Sequence, residues 1–401
     1  MSDVALPPVD LTVVGGAGHV GLPLSLAFAA TGLRVLILDL NAAALESIRA
    51  GRLPAIEYGA EPYLEQALRE DRLAFASDPA AISGHGPVII TIGTPVDEFL
   101  NPVHKAIEQG IDGLLPHLAD DQLLILRSTV FPGTTEWLDR TLRERNRRLP
   151  VAFCPERVVQ GHAIKELHSM PQIVSGATPE AEEAAARLFA RIAPEIVRVS
   201  PMEAEFAKLF ANAYRYIEFA AANQFYMIAQ QAGVDFYKIH AAVTHNYDRM
   251  RTFPRAGFAA GPCLFKDAMQ LASFASNQFS LGQSAMQVNE GLPLYVIERL
   301  RQQHDLSRMT VGLLGMAFKA DVDDIRSSLS YKLRKMLKLH AKDVLATDPH
   351  VTVDPSLLPL EEVIRRSDVL VLCVPHTAYR GLSTSGKPVF DLWGFFPPTG
   401  P

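Results

Sequence analysis

Two kinds of hydrophobic pattern alternate along this chain. Short apolar runs rich in β-branched residues occur at Leu11–Val14, Arg34–Asp39, Pro87–Ile92, Gln122–Leu126, Val151–Phe153, Ile173–Gly176 and Ile196–Val199. Runs that are apolar on both sides of the pleat read as parallel strands covered on both faces. Between them lie stretches with helical spacing, the first an Ala/Leu-rich helix ended by Gly32. From Met202 to about Gly233 the pattern becomes one long, Ala-rich helix. Further helices are expected at about Tyr237–Val243, Asp267–Ala275 and Leu281–Arg301. Strand–helix alternation then resumes with Thr310–Gly315, Leu329–His340, Asp343–Pro349 and Val369–His376. The pattern predicts an α/β fold of two Rossmann-like doubly wound domains joined by a central helical region. The expected boundaries are 1–200, 201–300 and 301–401.

The first strand runs into Gly16-Ala17-Gly18-His19-Val20-Gly21 at the start of a helix, and Asp39 stands at the tip of the second strand. G-x-G-x-x-G in this setting, with an acid about 20 residues on, is a dinucleotide fingerprint. Gly16 permits the tight turn, Gly18 the approach of a pyrophosphate, and Gly21 close helix–strand packing. Asp39 suits the ribose hydroxyls of NAD, although Asn41 and Arg49 leave the phosphorylated form open. Thr94 and Thr129 end later strands, where a doubly wound sheet presents its ligand crevice. Turn and cap chemistry explains both threonines equally well.

Composition adds exclusions. The chain of 401 residues carries a net charge of −6 with no long basic stretch, which argues against nucleic acid as a partner. Cys154, Cys263 and Cys373 are too far apart for a disulfide framework, which fits a reducing, cytoplasmic setting. No apolar run reaches the roughly 18 residues of a membrane helix, and residues 1–10 lack the pattern of a signal peptide. The histidines are scattered, with no H-x-x-x-H pair, so no metal site is expected.

Two stretches carry further candidate chemistry. Glu205, Lys208 and Asn212 share one face of the long helix, as an active-site stripe or as solvated charges. Gly261-Pro262-Cys263-Leu264-Phe265-Lys266-Asp267 sets a cysteine before an amine and a carboxylate. If Cys263 opens a helix, the donor N–H groups favour its thiolate, with Asp267 one turn away. The alternative is a buried, inert cysteine.

Taken in order, these segments resemble the UDP-glucose/GDP-mannose dehydrogenase family. The shared features are the glycine loop, Ser-Thr-Val-x-Pro-Gly-Thr, Pro-Glu-Arg, Glu-x-x-Lys-x-x-x-Asn, the cysteine loop and Leu-Gly-x-Ala-Phe-Lys…Asp-Asp-x-Arg-x-Ser. The resemblance implies NAD as cofactor, a nucleotide-sugar substrate held by the C-terminal domain, a homodimer paired through the central helices, and four-electron oxidation of the sugar C6 alcohol to a carboxylate. It implies Cys263 as nucleophile, Lys208 and Asn212 as the pair polarising the C6 oxygen, and Asp267 as the carboxylate serving water. Thr129 and Glu156 would lie near the nicotinamide and the hydrolytic water, with Arg157 beside them toward the substrate. Lys319 and Arg326 would supply ligand contacts from the C-terminal domain, Gly261 would face the substrate, and Arg255 would reach the substrate of a neighbouring subunit. Ala260 and Phe265 depart from the family loop, which has Gly and Pro there, and should alter the sugar pocket. Lys266-Asp267 follows the glucose-type branch. A two-electron β-hydroxyacid-type dehydrogenase and a non-catalytic nucleotide-sugar-binding relative are the competing readings. The second α/β domain speaks against the first, and joint retention of Lys208, Asn212, Cys263 and Asp267 against the second.

Overall fold

Each strand anticipated from the apolar runs forms in the computed structural model, which describes residues 8–82, 86–93 and 104–396. Contacts divide the chain into two compact units, Met1–Phe210 and Ala211–Pro401. The division falls inside the long helix, Pro201–Gln231.

The first unit is built on an eight-stranded sheet. Its strands are β1 (Leu11–Val14), β2 (Val35–Leu38), β3 (Leu73–Ala76), β4 (Val88–Ile90), β5 (Leu124–Leu126), β6 (Val151–Phe153), β7 (Gln172–Gly176) and β8 (Ile196–Arg198). They run in the order β3-β2-β1-β4-β5-β6-β7-β8. Leu11, Val13, Ile37, Ile89 and Ile125 face one core, and Val14, Leu38, Ile90, Leu124 and Leu126 face the other. Burial on both faces is why these strands read as unbroken apolar runs. β3 escaped the sequence pattern because half of Leu-Ala-Phe-Ala is alanine, a weak strand former. β7 pairs antiparallel to β6, opposing Ser175 to Phe153, so the sheet is not wholly parallel. The order reverses at β1, and the crevice at its C-terminal end receives the glycine loop.

The second unit combines helices with a four-stranded parallel sheet, β10-β9-β11-β12. These strands are β9 (Thr310–Leu314), β10 (Asp343–Thr347), β11 (Val369–Leu372) and β12 (Val389–Asp391). Tyr226, Phe236, Phe258, Leu292 and Val296 from the helical part share one core with Val311, Leu313 and Val371 of the sheet. The loop before the cysteine is therefore packed against the C-terminal sheet within one unit.

Candidate active site

In the glycine loop, packing separates the three glycines. A Cβ on Gly16 would lie 2.7 Å from the Val13 carbonyl oxygen, and one on Gly21 only 2.6 Å from Gly16 Cα. Gly18 is exposed, and its Cβ position meets only the Gly15 carbonyl, at 3.3 Å. Gly16 and Gly21 are thus demanded by the fold, whereas the bareness of Gly18 serves the space outside it. Val20 precedes the helix Gly21–Ala30, whose first turn holds no acid. His19 Nδ1 lies 3.0 Å from Gln160 Nε2. Asp39 accepts the Ala17 N–H on Oδ2 at 3.0 Å and the Asn41 N–H on Oδ1 at 2.9 Å. Each of its oxygens retains lone-pair capacity for a ribose hydroxyl. The donor-rich cradle beside an oriented carboxylate fits NAD. Thr94 lies outside the described residues. Thr91, which the sequence did not single out, donates from Oγ1 to the Val14 carbonyl at 2.8 Å and fixes the loop's root.

At the neighbouring tips of β5 and β6, Thr129 and Glu156 are both buried. Glu156 is tied on both oxygens. Arg127 donates to Oε2 from Nη2 at 2.6 Å and Nε at 3.1 Å, and Val158 N–H donates to Oε1 at 2.7 Å. Arg127 is 1% exposed and also reaches Gln172 Oε1 at 2.6 Å. It was missed as a site residue, though a lone arginine closing an apolar run signals a buried partner. Arg157 turns its guanidinium to the Pro171 carbonyl, and burial lowers its pKa. Glu205 caps another helix. Its Oε2 accepts the Gly133 N–H at 2.5 Å, and its Oε1 accepts the Thr135 N–H and hydroxyl at 2.9 and 2.6 Å. The Thr134–Glu144 helix lacks a side-chain cap at its own Gly133, so the long helix supplies one. Lys208, half-buried, follows on that helix.

In the second unit, Cys263 occupies the N-cap position of the helix Leu264–Phe274, and its carbonyl accepts the Asp267 N–H at 2.8 Å. It is exposed, which removes the reading of a buried, inert residue. Cys154 and Cys373 are buried; burial pushes the Cys154 thiol up to about 12 and raises Cys373 likewise. Asp267 is fully buried and accepts from Asn212 Nδ2 on Oδ2 at 2.6 Å, while Lys266 Nζ stands 3.7 Å from Oδ1. Arg326 is held above its ordinary pKa by its bonds to Asp324, against the pull of burial, and the nearby Cys263 sulfur adds to the rise. That cation was expected among ligand contacts, and its charge is also felt at Cys263. Gly261 holds φ +108°, and a Cβ there would lie 2.7 Å from the Phe318 ring, next to half-buried Lys319. Ala260, where the resembled loop has glycine, packs against the core of this unit. Arg255 lies over the Tyr237 ring, 4.8 Å from its centroid. The unit thus carries an exposed thiol at a helix N-cap, a buried Asp267–Asn212 pair one turn on and the Arg326 cation, groups suited to nucleophilic chemistry.

Histidines scattered in sequence do meet in the fold, where Asp321, His350 and His376 offer ligand atoms within 4.8 Å. His376 Nδ1 takes the Asp321 N–H at 3.0 Å and Nε2 faces Asp348 at 3.0 Å, so both ring nitrogens are engaged within the protein. Among the described residues no helix is long and apolar enough to cross a membrane.

Comparison with known proteins gives one family in three segments. Residues 10–193 match the NAD binding domain of the UDP-glucose/GDP-mannose dehydrogenase family, residues 202–291 its central domain and residues 312–398 its UDP binding domain. An NDP-N-acetyl-D-galactosaminuronic acid dehydrogenase of Ralstonia solanacearum is 29% identical, over 96% of this chain and 95% of its own length. A UDP-N-acetyl-D-mannosamine dehydrogenase of Pyrococcus horikoshii is 30% identical, over 92% of this chain and 90% of its own. The solved structure of UDP-D-ManNAc dehydrogenase from Pyrococcus horikoshii aligns with a TM-score of 0.89 at 27% identity, covering 97% of each chain. That of a UDP-glucose dehydrogenase from Pyrobaculum islandicum aligns at 0.88 and 25% identity, covering 98% of this chain and 96% of that one.

Proposed function

This chain belongs to the UDP-glucose/GDP-mannose dehydrogenase family and is an NAD-dependent nucleotide-sugar dehydrogenase, and from that premise we propose that it oxidises the C6 hydroxyl of a UDP-N-acetylhexosamine to the uronic acid through a Cys263 thioester. The observation that carries the reading is Cys263 itself, exposed at a helix N-cap within the field of the Arg326 charge, with buried Asp267 one turn behind it. Two relatives spanning more than nine tenths of the chain are named for N-acetylated sugars, which favours that substrate class.

Gly16, Gly18, His19, Val20, Gly21 and Asp39 would hold NAD, which would supply the hydride acceptor for each of the two oxidations of one sugar. Lys208 and Asn212, one helical turn apart, hold the C6 oxygen as its proton leaves and steady the negative charge that develops there. The Cys263 sulfur adds to the aldehyde carbon, and the thiohemiacetal that results loses its hydride to become a thioester. Water, deprotonated by Asp267, adds to the thioester, and the sulfur leaves as thiolate with release of the carboxylate. Glu156, pinned by Arg127, orients the strand tip beside Thr129. Lys319, Arg255 and Arg157 serve the nucleotide sugar. The exposed stripe Tyr214, Phe225 and Ile228 on the long helix supports a homodimer paired there.

NADH released per sugar, measured with UDP-N-acetylglucosamine, UDP-N-acetylmannosamine, UDP-glucose and GDP-mannose, tests the reading. Two NADH with an N-acetylated sugar supports it. One NADH removes the role given to Cys263, and two NADH with UDP-glucose alone moves the substrate. Cys263→Ser should abolish acid formation.

A further inference from the structure

The long helix brings Asn212 to Asp267 on one face, and at 100° per residue Tyr216 and Asn223 fall within about 40° of that line. Asn223 is fully buried, and both polar atoms of its amide are bonded. Oδ1 accepts the Gly257 N–H at 2.8 Å, while Nδ2 donates to the Gly257 carbonyl at 3.0 Å and to Asn289 Oδ1 at 2.9 Å. Asn289, also fully buried, passes the relay on by donating from Nδ2 to the Tyr216 carbonyl at 2.9 Å. The direction of this chain is fixed at both ends, because Gly257 N–H only donates and the Tyr216 carbonyl only accepts. Asn223 therefore grips both polar backbone atoms of a single glycine.

The far side of Gly257 is closed as well. A Cβ there would collide with the Trp393 indole, which is rooted by donation from Nε1 to the Cys373 carbonyl at 3.0 Å. Gly257 is thus a fixed point in the loop that carries Arg255 two residues before it and Cys263 six residues after it. Phe258 and Ala259 are buried beyond that point, and Gly261 then turns at φ +108° against Phe318. Burying two amides is unfavourable unless every polar atom is bonded. Apolar side chains would serve helix packing without that demand, whereas the directional contacts here act on the loop backbone.

We infer that Asn223, through its relay with Asn289, is a positioning residue that sets the place of Cys263. The inference rests on the reading of Cys263 as nucleophile. Asn223→Asp is the informative change, because the isostere keeps the bond from Gly257 N–H and loses both donations. The measurement is the alkylation rate of Cys263 by iodoacetamide across pH, located by peptide mass spectrometry. The sugar-dependent kcat and KM are measured alongside it, with NAD affinity and thermal unfolding. The variant should lower the alkylation rate and kcat by roughly tenfold to a hundredfold. It should also displace the alkylation pH profile and leave NAD affinity unchanged. Asn289→Ala, which leaves the grip on Gly257 in place, should displace the same profile less and serves if N223D does not fold. Lower thermal stability with an unaltered Cys263 profile and unaltered kcat per folded enzyme, in whichever variant folds, overturns the inference. Full turnover in Cys263→Ser would instead remove the nucleophile reading, and the alkylation measurement would still report the loop.

Discussion

Asn212 orients Asp267 with a 2.6 Å hydrogen bond to Oδ2, and both side chains are buried. The other carboxylate oxygen, Oδ1, is buried with no hydrogen-bond donor in range among the described residues, and Lys266 Nζ stands 3.7 Å from it. A carboxylate hydrogen-bonded on one oxygen keeps acceptor capacity on the other with which to take a proton from water. Asp267→Asn should lower acid formation by about 10²- to 10⁴-fold, the usual share of a general base. Pre-steady-state mass measurement should find the acyl-enzyme on Cys263 accumulating in that variant. An unchanged hydrolysis rate would remove the carboxylate from the mechanism.

The glycine loop separates binding from folding. Gly18→Ala asks the Gly15 carbonyl, 3.3 Å from the new methyl, to give only slightly and should lower the melting temperature little while weakening NAD binding by roughly tenfold or more, as calorimetry would report. Gly21→Ala forces a methyl into the Gly16 backbone, and its main effect should be a loss of about 1–3 kcal/mol in urea unfolding. Equal stability losses in the two variants would contradict this division.

Glu205 is expected to matter for stability before it matters for rate. Removing it strands the Gly133 and Thr135 N–H groups at the start of a helix. Glu205→Ala should cost about 2 kcal/mol or more in chemical denaturation. Hydrogen exchange should quicken first at residues 133–136.

Acid should loosen the C-terminal sheet through Asp348. Burial pushes this carboxyl up, but the hydrogen bonds from His376 and from the N–H groups of Ala317 and His350 outweigh it and hold the pKa at about 2. A depressed pKa means the folded state releases a proton that the unfolded state keeps, so the stabilisation is present above pH 3.8 and fades as pH falls toward 2. The loss should approach about 2 kcal/mol. Asp348→Asn should flatten the stability curve in that window.

Much of this molecule was legible because its signals are local. A buried parallel strand must be apolar throughout, and a phosphate loop must carry glycines, so β1, the turn after it and Asp39 are written within 29 residues. The cysteine stretch was legible as chemistry, but its exposure was not, since nothing local separates an N-cap thiol from a packed one. Arg127 with Glu156, Glu205 with Gly133, and Asn223 with Gly257 are pairings across 29, 72 and 34 residues. Each residue looks ordinary until the fold supplies its partner. The antiparallel entry of β7 was hidden for the same reason, because neighbouring strands decide strand pairing, whereas β3 was hidden by its own alanines.

The contact between Tyr237 and the end of the described chain has a consequence for synthesis. Tyr237 donates its hydroxyl to the Leu392 carbonyl, 155 residues away, and its ring closes on Gly394 while Trp393 backs Gly257. A ribosome makes the helices of this unit long before it makes β12. Until Leu392, Trp393 and Gly394 emerge behind it, the Tyr237 ring stays uncovered and Gly257 in the cysteine loop lacks its backing. The unit is therefore committed to folding late and all together, which is when an uncovered apolar surface is most exposed to aggregation.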